Sequence, residues 1–320
     1  MPSLSGKFAS LLLIVECLLF GPVLFAQQTK TGARGSELSP DKAIALAEQG
    51  QCRESISALK YAMSSQVPAS TRKQAGVDGV RCSLAVDDRD AALEFIHLLN
   101  RQFRQDPDVL FVVVHAYSDL STRTAQDLAR TAPHSFAAHK LNAEALEMQG
   151  KWEPAQLEYE EMIRQQPNAR GTHFLLGRLL LSKPDAGPDA VERAKQEFAK
   201  ELQIDPDNSD AEYILAELAR REDKCGEAIP RYSQAAKLNS SFAEAYLGWG
   251  VCLIDLKKYQ EAISPLRTAE RLAPRNPDTH NALATALARS GQKEEAQKEF
   301  AIHRSLVSAR PAPADAGKPE

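Results

Sequence analysis

Five cysteines and seven histidines are the side chains of this chain with the widest chemical range. A thiolate serves as nucleophile, metal ligand or disulfide partner, and an imidazole as general base or metal ligand. Their spacing removes most of those roles. There is no CxxC and no paired-histidine spacing of the kind zinc requires. HExxH, GxSxG, a phosphate-cradling glycine loop and the dinucleotide-binding fingerprint are absent as well. His97, His115, His134 and His303 have no carboxylate or cysteine at ligand spacing. The chain therefore reads as non-enzymatic, with no catalytic residue, no metal and no cofactor. Cys52, Cys82, Cys225 and Cys252, the four cysteines beyond the N-terminal segment, remain to be explained.

The elements that position them are written as a repeat. "KCGEAIPRYSQAAKL" begins at Lys224, "KYQEAISPLRTAERL" begins 34 residues later at Lys258, and "QCRESISALKYAM" echoes both from Gln51. In a 34-residue frame with Ala228, Ala262 and Ala296 at position 20, position 24 holds Tyr232, Leu266 and Phe300, and position 8 holds Ala216, Gly250 and Ala284. Residues 136–169 supply Ala143, Gly150, Trp152, Ala155, Tyr159 and Pro167 at positions 8, 15, 17, 20, 24 and 32. Residues 170–208 fit through Leu176, Gly177, Ala194, Phe198 and Pro206, provided that the segment KPDAG (183–187) lengthens the turn between helices by five residues. Two antiparallel helices of about twelve residues account for this pattern. Small residues at positions 8 and 20 let the backbones approach, and a large one at position 24 fills the space toward the next repeat. Proline near position 32 ends the second helix. His139, His173 and His280 all fall at position 4, which assigns them to packing.

Composition agrees. Alanine, leucine and long charged side chains dominate, aromatics make up 6% of the chain, and only residues 110–117 (LFVVVHAY) resemble a strand. A net charge of −4 without a basic, aromatic-rich patch argues against nucleic acid as a partner.

The quoted residues resemble the tetratricopeptide repeat (TPR) family. That resemblance implies an all-α fold, a TPR-type α-solenoid of stacked helix-turn-helix repeats wound into a right-handed superhelix. The expected organisation is a signal peptide at 1–26, a flexible linker at 27–38, degenerate helical repeats at 39–135, five repeats at 136–169, 170–208, 209–242, 243–276 and 277–308, and a disordered tail at 309–320. In the degenerate stretch, residues 36–69 form a further repeat, Cys82, Ala92 and Pro107 mark another, and 108–135 a shortened one in which 110–117 is a buried first helix.

Within this frame Cys52 and Cys225 stand at position 17, and Cys82 and Cys252 at position 10 of the following repeat. Position 17 opens a second helix, and position 10 lies late in the next first helix, at the same end of the stack. Disulfides Cys52–Cys82 and Cys225–Cys252 are expected. Four buried thiols acting as small hydrophobes are the alternative.

The resemblance also implies that first helices line a concave groove through positions 2, 5, 6, 9, 12 and 13. The groove residues are then Phe174, Leu175, Arg178, Leu181, Tyr213, Ile214, Glu217 and Arg220. Leu247, Val251, Ile254, Asn281, Thr285 and Arg289 continue it. An apolar middle with charges at its edges suits a peptide or an amphipathic helix. The lysine and asparagine clamp for chaperone tails is missing, since position 6 reads Leu141, Leu175, Ile214, Gly248 and Ala282.

Lys7, the apolar run at 8–20, Gly21-Pro22 and Ala26 follow the order of an export signal, with Glu16 and Leu24 as departures from it. The expected function is a protein-protein interaction scaffold of the cell envelope or secreted space, periplasmic or secreted. Membrane anchoring through residues 8–26 is the alternative location. A structural subunit of an envelope or secretion assembly, docking through its convex face, is the alternative role.

Overall fold

The computed structural model describes residues 38–64, 66–184 and 187–309. The expected signal segment (1–26), nearly all of the linker and residues 310–320 of the expected tail lie outside the described residues. Within them the chain forms fifteen α-helices and no strand. It divides into two compact units between Thr122 and Arg123, inside the fifth helix.

The N-terminal unit contains α1 (Pro40–Glu48), α2 (Cys52–Ser64), α3 (Ala69–Ala85), α4 (Arg89–Gln102) and the first part of α5 (Pro107–Thr131). Its core gathers Leu59, Met63, Phe95, Ile96 and Leu99 with Val109, Val113, Ala116 and Leu120 of α5. Residues 110–117 are thus helical. Neither proline nor glycine occurs between 108 and 131, so nothing in the chain stops α5 at the length of its neighbours.

The C-terminal unit continues with five helix pairs. These are α6 (Phe136–Met148) with α7 (Trp152–Gln165), α8 (Thr172–Ser182) with α9 (Pro188–Ile204), and α10 (Ser209–Arg221) with α11 (Cys225–Leu238). They are followed by α12 (Ala243–Asp255) with α13 (Tyr259–Leu272), and α14 (Pro277–Arg289) with α15 (Lys293–Ser308). The fold is all-α and solenoid-like, each pair packing on the next.

The two helix types begin differently. Most first helices start on a polar cap: Ser39, Ser135 and Asn208 accept from backbone amides three residues on, and Asn276 from the amide of Asp278. Second helices follow a three-residue turn whose middle residue is left-handed, as at Gly150 (φ 69°) and Lys257 (φ 61°). The turn closes with a long backbone bond, from Lys151 N to Leu146 O and from Lys258 N to Leu253 O at 2.9 and 2.8 Å, satisfying carbonyls that the first helix leaves open.

The KPDAG segment differs in part from expectation. Five residues separate α8 from α9 where other pairs have three, and α9 has 17 residues where α7, α11 and α13 have 14. The insertion is shared between the turn and an added stretch of helix, because Pro188 suits the first helical position and seeds α9 early.

The small positions are explained by contact. A Cβ on Gly250 would meet Leu266 Cγ at 2.3 Å, and one on Gly177 would meet the Phe198 ring at 2.9 Å. Leu266 and Phe198, both at position 24, thus sit directly on the backbone of a first helix.

Candidate interaction groove

Successive first helices touch one another, α10 with α12 and α12 with α14, while no pair of successive second helices in the C-terminal unit packs as closely. An array whose first helices converge while its second helices diverge curves with the first helices inside. The inner face of this stretch is therefore formed by α10, α12 and α14.

Of the residues expected in the groove, Phe174, Leu175 and Leu181 of α8, Tyr213 and Ile214 of α10, and Leu247, Val251 and Ile254 of α12 are all half-buried. Each rests one side on a core cluster and leaves the other to solvent. Arg178, Asn281 and Arg289 are exposed, and Thr285 is half-buried with its hydroxyl donating to Asn281 O at 2.8 Å.

On α8 and α10 the expected groove charges are paired. Arg178 is held by Glu147 at 2.9 Å, and Arg220 by Glu217 at 2.9 Å. The Tyr232 hydroxyl donates to Glu217 and accepts from Arg220 Nε at 3.2 Å. Burial by itself would raise the Glu217 carboxyl, but the bonds from Arg220 and Tyr232 hold it below the usual carboxylate range. Burial and the Glu217 carboxylate push the Tyr232 phenol upward. The triad is thus a locked, net-neutral floor beneath Tyr213, whose ring lies 6.0 Å from Tyr232 and 4.7 Å from Phe242. Tyr246 and Trp249, with rings 6.5 Å apart, extend the aromatic surface along α12. Phe242, Tyr246, Trp249 and the Tyr232 hydroxyl carry no signal in the repeat spacing, because position 24 reads as packing and the other three fall outside the six groove positions.

The three position-4 histidines are buried or nearly so, and each is bonded to a glutamate of the following helix. His139 meets Glu158 at 2.5 Å, His173 meets Glu197 at 2.5 Å and His280 meets Glu299 at 2.7 Å. A constant 19-residue separation, 24 where the turn is lengthened, was the available signal.

The four cysteines stand as two pairs at disulfide distance, Cys52 with Cys82 and Cys225 with Cys252, with Cα separations of 4.8 and 5.1 Å. Cys52 and Cys225 open α2 and α11, and their partners lie in α3 and α12. Among the described residues two groups have metal-ligand proximity, Cys225–Cys252–Asp255 and Glu270–His280–Glu299. In the first the sulfurs face each other, and in the second both ring nitrogens of His280 are engaged, by Glu299 and by Pro274 O at 2.9 Å.

The tetratricopeptide repeat family profile matches residues 213–277, from within α10 to the first residue of α14. No curated protein matches the chain. Among solved structures, YrrB, a TPR protein with an unusual peptide-binding site, is 18% identical with a TM-score of 0.49 over 58% of this chain and 93% of its own. MamA is 20% identical with a TM-score of 0.48, over 56% of this chain and 97% of its own. MamA 41-end from Desulfovibrio magneticus RS-1 gives 18% and 0.48, over 55% and 97%. Over residues 213–277, where the profile matches, the paired helices are tetratricopeptide repeats.

Proposed function

We propose that this chain is a non-enzymatic scaffold of the cell envelope or secreted space, which binds a peptide or helix of another protein along the inner face of α8, α10, α12 and α14. The observation that carries the reading is the run of half-buried apolar side chains over three successive first helices, with Tyr213 at its centre. Such side chains keep unburied apolar area beside charges already neutralised by neighbours, so an apolar segment displaces water without breaking ion pairs. Export is supported by the order of residues 1–26 and by the two cysteine pairs, since disulfides persist outside a reducing cytoplasm.

Tyr213→Asp combined with Leu247→Asp tests the groove, with partners captured from envelope extracts by wild type and variant side by side. Loss of a captured protein in the variant, with an unchanged helical spectrum, is the expected result. Undiminished capture by the variant moves the contact to the second-helix face and overturns the groove assignment.

A further inference from the structure

We propose that α5 carries a second docking surface, for an amphipathic helix of a partner protein with acidic residues on its flank, and that this helix takes the place of the second helix that α5 lacks. Among the described residues every other first helix is followed by a second helix that packs on it, whereas α5 is followed by α6, which pairs with α7. Yet α5 begins as first helices do, with Asp106 accepting from the amides of Asp108 and Val109 at 3.0 and 3.2 Å.

The consequence shows on its surface. One stripe of α5 (Val109, Val113, Ala116, Leu120) is sunk in the core of the N-terminal unit. Leu110, Val114 and Tyr117, spaced i, i+4 and i+7, form a second apolar stripe that is 45, 65 and 50% exposed, with Phe111 beside it at 66%. A helix apolar on two sides is built to be covered on both.

Charge selects the occupant. Where α4 runs into α5, an open cavity of about 700 Å³ is lined by His97, Asn100, Arg101, Arg104 and Leu110. Among the described residues neither arginine has a carboxylate partner, whereas about half of the lysines and arginines do. A second copy packed antiparallel through the same stripe would bring them Ser121, Thr124 and Leu128, and no carboxylate. Asp108 is bound to Lys73, Asp127 to Arg130, and Asp119 lies on the opposite side of the helix. A helix with its own acidic flank satisfies both the stripe and the arginines.

Two labelled 16-residue helical peptides test this, identical in a leucine stripe at i, i+4, i+7 and i+11, one flanked by two glutamates and the other by two lysines. Binding is read by anisotropy at low ionic strength to the full chain, to Arg101→Glu with Arg104→Glu, and to Phe111→Ser with Val114→Ser. The glutamate peptide is expected to bind wild type at least about ten-fold more tightly than the lysine peptide, with the order reversed in the arginine variant and both weakened in the serine variant. The arginines are exposed and touch no core, so the reversal decides the matter even if the serine variant loses helix. Equal binding of the two peptides, or none, overturns the proposal. So does a wild-type dimer in sedimentation that the serine variant dissociates, which would make a second copy the occupant.

Discussion

His280 and Glu299 bond at 2.7 Å across the two helices of one repeat, in the place where Glu212 and Arg231 bond at 2.9 Å two repeats earlier. The separation is 19 residues in both, and His139 with Glu158 repeats it. Position 4 and position 23 are thus a coupled pair that tolerates either polarity, provided that the charges are opposite. Where α12 carries Tyr246 at position 4, α13 carries Pro265 at position 23, and the ion pair is replaced on both sides at once.

The His280 pair makes stability depend on pH. Burial of the ring would lower its pKa, but the bond to Glu299, the Pro274 carbonyl and the nearby Glu270 outweigh burial and raise it above the ordinary 6.5. A raised folded value means that the native state holds the proton more tightly. The contribution is complete below about pH 6.5 and disappears as pH climbs through the folded value. Urea midpoints of wild type and His280→Gln at pH 6 and pH 8.5 measure it. The variant should be less stable at pH 6 by about 1–3 kcal/mol, and the gap should narrow at pH 8.5. A gap equal at the two pH values would show that the imidazole acts by shape alone.

The cysteine pairs make a second prediction. Each closes a loop of 27 or 30 residues, for which chain entropy gives about 3–4 kcal/mol. Replacing Cys225 and Cys252 together by serine should lower unfolding free energy by that order. Natively expressed chain alkylated without reduction should carry no alkyl group on Cys52, Cys82, Cys225 or Cys252, and should begin near Gln27. Five alkylated cysteines, Cys17 among them, on a chain that starts at Met1 would remove both the bonds and the export reading.

A third concerns the turns. Lys257 is held at φ 61°, where a branched Cα is crowded, at a position filled by Gly150 and Gly291 in other repeats. Its side chain is exposed, so little packing is lost when it is replaced. Lys257→Gly should stabilise by roughly 0.5–1 kcal/mol, the left-handed penalty less the extra entropy of glycine in the unfolded chain. A lower melting temperature in the variant would contradict it.

What could be read from the sequence was whatever the repeat forces to recur. Ala228 and Ala262 announce close helix approach, and Cys52 with Cys225 share one position, so two partners could be named for them. Interactions used once leave no such trace. Arg178 with Glu147 joins neighbouring repeats through side chains that look like ordinary solvated charge. The Tyr232 hydroxyl was hidden behind a ring whose size alone explains its position. In α5 the β-branched run at 112–114 competes with helix by propensity, and core burial of Val113 decides for helix.

The last prediction joins stability to the groove through one such single-use contact. α8 has no side-chain cap of its own, since it starts after Gly171. Glu201 of α9, fully buried, supplies one from 27 to 30 residues away, accepting from Gly171 N at 2.6 Å and from Phe174 N at 3.2 Å. A carboxylate there satisfies two open amides and meets the positive end of the helix dipole. Glu201→Ala should cost about 1–3 kcal/mol, and Glu201→Gln less, because one acceptor oxygen is kept. The amides of Phe174 and Leu175 should exchange faster in both variants, while those of α14 stay unchanged. Because the proposed groove includes those two residues, partner affinity should fall with the same order, alanine below glutamine below wild type. Unchanged exchange at α8 would show that packing, and not the Glu201 cap, sets this part of the groove.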